Sequence, residues 1–133
     1  MKEILFRGNR VDGYGWVYGY LVHDEAERNQ PRIIIGREYS TGTYFHCQAP
    51  RVLRATVGQF TGLLDANGEK IFEGDILKER NGEDIGFIRY ADEDGMFYLV
   101  ADNVLYDFSN CNSKWYEVIG NIHDNPELVE VAR

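Results

Sequence analysis

The chain has 133 residues, of which 44% are hydrophobic and 14% aromatic, so it carries enough apolar surface to build a packed core. Its 22 Asp and Glu outnumber its 14 Lys and Arg, which gives a net charge of −8. This composition excludes a disordered chain and argues against nonspecific nucleic-acid binding, which depends on Lys and Arg.

The first third of the sequence predicts short β-strands. Residues 15–22 alternate, with Trp16, Tyr18 and Tyr20 on one side of a strand, and a turn-rich segment precedes them, so we expect a hairpin with residues 3–7. Residues 31–36 read as a buried strand, and a turn at residues 40–42 separates two further strand-like pieces within 37–47. We interpret residues 1–50 as an N-terminal β unit.

The stretch from residue 56 to residue 77, TVGQFTGLLDANGEKIFEGDIL, predicts a second hairpin. Asn67 and Gly68 both tolerate the positive φ of a type I′ turn, and a Gly-Asp turn opens the next strand. Glu73 and Asp75 could in principle form an acid–base pair, but the structural interpretation is favoured, with Asp75 bonding the turn backbone.

The C-terminal half continues the β pattern. Residues 86–90, 96–101 and 114–122 predict strands, while residues 103–108 are expected to form one helical turn. Residues 124–132 predict a short helix or an extended tail, with Pro126 at the first helical position and Asn125 as the N-cap. Short strands with polar turns indicate a small SH3-like antiparallel barrel, which we assign to residues 51–133.

The sequence offers little for metal, cofactor or catalytic chemistry. The candidate metal ligands lack the spacing of known sites; they are His23, His46, Cys47, Cys111 and His123. No nucleophile motif or phosphate loop is present, so we predict no catalytic residues, no metal and no cofactor.

The apolar run at residues 4–6 is too short for a signal peptide, and no run reaches the roughly 20 residues of a membrane span. We therefore expect a cytoplasmic protein with no membrane partner.

Four segments together resemble the YopX family of bacteriophage and prophage proteins. They are GWVYGYL (15–21), the long stretch 56–77, the pair GFIRY and FYLV, and YEVIGNIHDNPELVE (116–130). Residues 51–55 depart from the family, which often carries an acidic or proline-containing turn there, and His123 stands where Tyr is common. The resemblance implies a β-rich fold with an SH3-like barrel, a homo-oligomer and a bacterial host cell, and it supplies no defined site residues.

The charge distribution divides the chain. Residues 1–64 hold 8 Lys and Arg against 6 Asp and Glu, a net of +2, whereas residues 65–133 hold 6 against 16, a net of −10. This asymmetry would permit head-to-tail self-association or the docking of a basic partner on the acidic half, although a solvated acidic face is the simpler interpretation.

Our leading hypothesis is a non-catalytic interaction module that self-associates and binds a host or phage protein. The candidate partner-binding residues are Trp16, Tyr18, Tyr20, Asp92, Glu93 and Asp94. The alternative is nucleic-acid binding by the barrel, based on the arginines of the first half and on aromatic rings that could stack with bases. A variant of the leading hypothesis is that the acidic half mimics DNA and so occupies a host enzyme, in which case neutralising Asp92, Glu93 and Asp94 would abolish inhibition of that enzyme.

Overall fold

The computed structural model describes residues 3–39 and 45–132, and it consists mainly of antiparallel β-strands, as predicted. The chain divides into two compact units, Met1–Gln59 and Phe60–Arg133, here called unit 1 and unit 2. Residues 51–59, which the sequence analysis placed in the second domain, include four positions that pair within unit 1. The assignment of two domains at 1–50 and 51–133 stays a prediction.

Unit 1 is built on the predicted N-terminal hairpin. Its strands are β1 (Phe6–Asn9), β2 (Trp16–Asp24), β3 (Gln30–Ile34), β4 (Gly36–Tyr39) and β5 (Phe45–Gln48). β1 pairs with β2 from Phe6 opposite Gly19 to Asn9 opposite Trp16, and β2 pairs with β3. β4 pairs with β5, while the turn predicted at residues 40–42 lies outside the described residues.

The core of unit 1 includes a close approach between Gly8 of β1 and Val52, which lies in the segment after β5. Ile33 and Val52 are completely buried. A Cβ atom added at Gly8 would lie 2.8 Å from Cβ of Val52, so only glycine fits there. After Val52 a 3₁₀ turn, Arg54–Thr56, leads to the next strand, and the Thr56 hydroxyl accepts the Asn9 N–H at 2.9 Å.

Strand β6 (Gly58–Leu64) begins in unit 1, where Gly58 and Gln59 pair with β1, and continues into unit 2. There it pairs with β7 (Lys70–Phe72), which confirms the predicted hairpin. The predicted type I′ turn is wrong, because of its two central residues only Gly68 has a positive φ, at 81°. The Asp65 carboxylate instead accepts backbone N–H bonds across a wider loop.

Unit 2 contains a five-stranded antiparallel sheet in the order β11-β10-β9-β8-β12. These strands are β8 (Asp75–Glu79), β9 (Ile85–Ala91), β10 (Met96–Ala101), β11 (Val104–Asp107) and β12 (Tyr116–Asn121). A buried cluster fills one face of the sheet; its members are Ile71, Leu77, Ile88, Leu99 and Phe108. The described pairings leave the sheet open, with β11 and β12 at its edges.

Two predictions at the C-terminal end have different outcomes. Residues 103–108 do not form a helical turn, because Val104–Asp107 pairs along β10 as a strand. The short C-terminal helix is confirmed as α1 (Pro126–Ala132), which lies against β9. Asn125 precedes it, but its side-chain oxygen accepts the Asn121 N–H at 3.2 Å. Among the described residues, no helix has both the length and the apolar character that crossing a membrane requires.

Candidate functional site

The three predicted aromatic residues of unit 1 lie together on one face of β2, here called the aromatic face (Trp16, Tyr18 and Tyr20). Tyr18 is 49% exposed and Tyr20 is 66% exposed, whereas Trp16 is half-buried. The opposite face of the strand carries Gly19, whose backbone lies close to that of Ile34. The period-two alternation therefore places two solvent-exposed tyrosines on the same face of the strand.

Arg7 supports the aromatic face from the neighbouring strand. It pairs directly opposite Tyr18, is only 5% exposed, and holds its guanidinium carbon 4.9 Å from the centre of the Trp16 ring. A cation over an indole ring contributes about 0.5–2 kcal/mol, more when water is excluded. The contact favours this orientation of the Trp16 ring at one end of the aromatic face.

The predicted acidic residues Asp92, Glu93 and Asp94 lie in the exposed turn between β9 and β10 of unit 2. They therefore belong to a different unit from the aromatic face. Asp94 accepts a hydrogen bond of 2.9 Å from the Tyr98 hydroxyl, and this bond raises the pKa of Tyr98. A partner-binding role for the turn stays a prediction.

Unit 2 also contains a cavity of about 310 Å³ that the sequence analysis did not anticipate. The strand register builds it, because Glu79 pairs with Tyr116 and Leu99 pairs with Tyr106, so these side chains share the core face of the sheet. Gly86 forms part of the lining. A Cβ atom at this position would lie 2.8 Å from the Val100 carbonyl oxygen, so a larger residue does not fit there. The lining thus combines apolar residues such as Ile85 and Leu99 with two tyrosines, Tyr106 and Tyr116.

Four carboxylates surround this cavity; they are Glu79, Glu83, Asp84 and Asp102. Within the described part of the chain, none of the four forms a salt bridge or accepts a side-chain hydrogen bond. Burial raises the pKa of Tyr116, and the negative charges of Glu79 and Asp84 raise it further. The cavity is therefore lined by four carboxylates that form no ion pair within the described part of the chain.

Strand β11 contributes Tyr106 to the lining of the cavity. All four of its residues are exposed, including Val104 (47%), Leu105 (48%) and Tyr106 (50%). Asp102 and Asn103 turn the chain into β11 with φ values of 52° and 64°, as a two-residue type I′ hairpin requires. This Asp-Asn pair between two apolar runs was the sequence signal for β11 that the helical interpretation missed.

The family model of YopX protein matches residues 5–130, which is nearly the whole chain. The chain belongs to the YopX protein family. It is also similar to a crystal structure described as protein EF1440 from Enterococcus faecalis, with 26% sequence identity and a TM-score of 0.68. That similarity covers 97% of this chain and 99% of the other, so the two share a fold over their lengths. No curated protein matches the chain.

In this member of the YopX family, Asp75, one of the two carboxylates that could form an acid–base pair, hydrogen-bonds to the backbone of a turn. Asp75 is 2% exposed and accepts the Phe72 N–H at 2.7 Å, so it stabilises the Gly-Asp turn that opens β8. The described residues contain no group of three His, Cys, Asp or Glu side chains that could hold a metal ion. The exposed residues of β2 and β11 make these two strands the candidate sites of this YopX chain.

Proposed function

We propose that the protein is a non-catalytic interaction module of a bacteriophage or prophage, which self-associates and acts in the bacterial cytoplasm. Membership of the YopX family supports this setting, and the similar solved structure comes from a bacterium. The SH3-like character of unit 2 is part of the proposal. Its strand order supports it, because β8 to β11 pair consecutively and β12 returns to pair with β8.

The observation that carries the proposal is the exposed aromatic face of β2. Tyrosine rings lose little conformational entropy on contact and are enriched at protein interfaces, so two adjacent exposed rings favour a protein contact. Self-contact through this face joins surfaces of unit 1, which has a net charge of +2. Contact through two copies of unit 2 would join surfaces with a net charge of −10 each, which electrostatic repulsion opposes.

Light scattering during size-exclusion chromatography tests the proposal. The unmodified protein is expected to elute as an assembly heavier than one chain, and the double variant Tyr18→Ser/Tyr20→Ser is expected to elute as a monomer. Tyr14→Ser is the control, because Tyr14 is 82% exposed but lies in the turn before β2. A monomeric unmodified protein, or an assembly that persists in the double variant, would contradict it.

Nucleic-acid binding is the second candidate function, and the exposed rings of Tyr18 and Tyr20 favour it because bases can stack on them. The arginines of unit 1 weaken it, since carboxylates of the same unit already pair with several of them. Arg10 pairs with Asp12 at 2.6 Å, and Arg32 pairs with Asp24 and Glu27. Binding to single-stranded oligonucleotides that weakens steeply with salt would support this function, and no binding at low salt would remove it.

A further inference from the structure

We propose that the open edge of β11 binds an extended basic segment of a partner protein, whose backbone pairs with β11 and whose arginine side chain enters the adjacent cavity. The inference rests on the proposed function as an interaction module, but it uses unit 2 instead of the aromatic face. The partner is thereby defined by its chemistry, as an extended strand with an arginine at one position.

The first support is the exposed backbone edge of β11. Ala101 and Val104 flank a two-residue turn, so they form a hydrogen-bonded pair, and the alternation along the strand then directs the N–H and C=O of Leu105 outward. Proteins commonly protect such edges with lysine, proline or a covering segment. β11 has neither residue, and among the described residues no strand pairs with its outer side.

The opposite edge of the same sheet shows what protection looks like. On β12 the Val118 N–H donates to the Asp65 carboxylate at 3.0 Å, and the Tyr116 carbonyl accepts the Ala66 N–H at 2.9 Å. The loop between β6 and β7 therefore covers the edge of β12, because it bonds the Val118 N–H and the Tyr116 C=O. At the far end of β11 the Asn112 side chain donates to the Asp107 carbonyl at 2.9 Å, but the outward N–H and C=O of Leu105 have no hydrogen-bond partner among the described residues. The Leu105 position of β11 is therefore available for the addition of a strand.

The register of β11 determines where a partner side chain would go. Tyr106 pairs with Leu99, which lies in the cavity lining, so Tyr106 and the cavity share one face of the sheet. In an added antiparallel strand, the residue opposite Tyr106 projects from that same face, with Cβ atoms about 4.5–5.5 Å apart. A long side chain at this position reaches into the cavity.

The lining of the cavity selects arginine for that position. The four carboxylates attract a cation, the Leu99 and Ile85 side chains suit its methylene groups, and the volume of about 310 Å³ accommodates one side chain. A guanidinium also stacks on aromatic rings and binds carboxylates with two parallel hydrogen bonds, which favours arginine over lysine. A second copy of β11 is a poor occupant, because pairing of two unit 2 surfaces brings like charges together.

The experiment is calorimetric titration of the whole protein with a short peptide of alternating threonine and valine that carries one central arginine. A second peptide with citrulline in place of arginine has the same shape without the charge. We expect the arginine peptide to bind about tenfold more tightly than the citrulline peptide. Equal binding of the two peptides, or no binding of either, would overturn the proposal.

The double variant Asp84→Asn/Asp102→Asn is expected to weaken binding of the arginine peptide by about tenfold. Both carboxylates are exposed, and asparagine tolerates the positive φ at residue 102. Glu79 is left unchanged because it also lines a neighbouring cavity with Arg80 and Lys114. The matched control, Glu69→Gln/Glu127→Gln, removes two charges from unit 2 away from the cavity, and an equal loss of binding in this control would contradict the inference.

Amide hydrogen exchange tests the backbone part independently. Binding of the arginine peptide is expected to slow exchange at the Leu105 N–H, and an unchanged rate in the saturated complex would exclude strand addition. Displacement of the peptide by free spermidine together with unchanged Leu105 exchange would indicate a small-cation site and overturn the proposal. The mass of the assembly, measured on the Tyr18→Ser/Tyr20→Ser variant, reports on the proposed function separately.

Discussion

At the scale of single residues, Asp65 organises part of the stretch from residue 56 to residue 77 through three backbone hydrogen bonds. It is 3% exposed, and its two carboxylate oxygens accept three backbone N–H bonds, from Asn67, Glu69 and Val118, at 2.8–3.0 Å. Two of these bonds shape the loop between β6 and β7, and the third joins that loop to β12. One side chain therefore connects a local turn to a distant strand.

We expect Asp65→Ala to lower the free energy of unfolding by roughly 2–4 kcal/mol, because it removes the acceptor of three partly buried backbone N–H groups. Urea denaturation followed by tryptophan fluorescence measures the change. Glu69→Ala is the matched control, since its exposed side chain lies in the same loop and accepts none of these bonds. Equal effects of the two substitutions would show that the hydrogen bonds of Asp65 do not stabilise the loop.

At the scale of the elements, β2 separates a packing face from a contact face. Gly19 and Val17 lie on the packing side, and a Cβ at Gly19 would overlap the carbonyl oxygen of Ile34. Tyr18 and Tyr20 consequently occupy the side that faces solvent. The close approach of β3 at Gly19 therefore fixes which side of the strand is exposed.

Gly19→Ala is expected to reduce the melting temperature sharply, because the added methyl group meets backbone atoms that cannot move without breaking the β2–β3 pairing. Gly13→Ala is the comparison: space around Gly13 is open, and only its φ of 84° opposes a side chain, at a cost of roughly 1 kcal/mol. Differential scanning calorimetry of both variants tests the difference. A smaller loss for Gly19→Ala than for Gly13→Ala would contradict the packing argument.

At the scale of the whole molecule, negative charge is concentrated in unit 2, where it contributes to the raised pKa values of two tyrosines, Tyr98 and Tyr116. The hydrogen bond to Asp94 raises the pKa of Tyr98, while burial, followed by Glu79 and Asp84, raises the pKa of Tyr116. The folded state therefore holds both phenolic protons above the ordinary pKa near 10. Their contribution to stability is present below that pH and is lost as the pH rises through the folded-state values.

We accordingly expect the melting temperature to fall as the pH rises above about 10. The double variant Tyr98→Phe/Tyr116→Phe should show a shallower fall, because it removes two groups that bind protons more tightly in the folded state. Tyr14→Phe, which removes an exposed phenol of unit 1, is the control. Parallel pH profiles for the unmodified protein and the double variant would contradict this explanation.

The success of the sequence predictions follows the range of the interactions involved. The β1–β2 hairpin, the β6–β7 hairpin and the start of α1 at Pro126 depend on neighbouring residues, so alternation and local turn signals predicted them. Residues 103–108 were misassigned because Leu105 and Phe108 also fit helical spacing. Pairing with β10, together with the turn at Asp102 and Asn103, decided the strand.

By itself, the sequence determined a mainly β protein with an acidic C-terminal half, and its motifs carried the resemblance to the family to which the chain belongs. It also identified Trp16, Tyr18 and Tyr20 as one face of a strand, because alternation is a local property of the backbone. Only the tertiary structure decided which rings are exposed, and only the register of distant strands brought the carboxylates and tyrosines of unit 2 around one cavity. Burial and register depend on contacts between residues far apart in the chain, and a local pattern does not specify them.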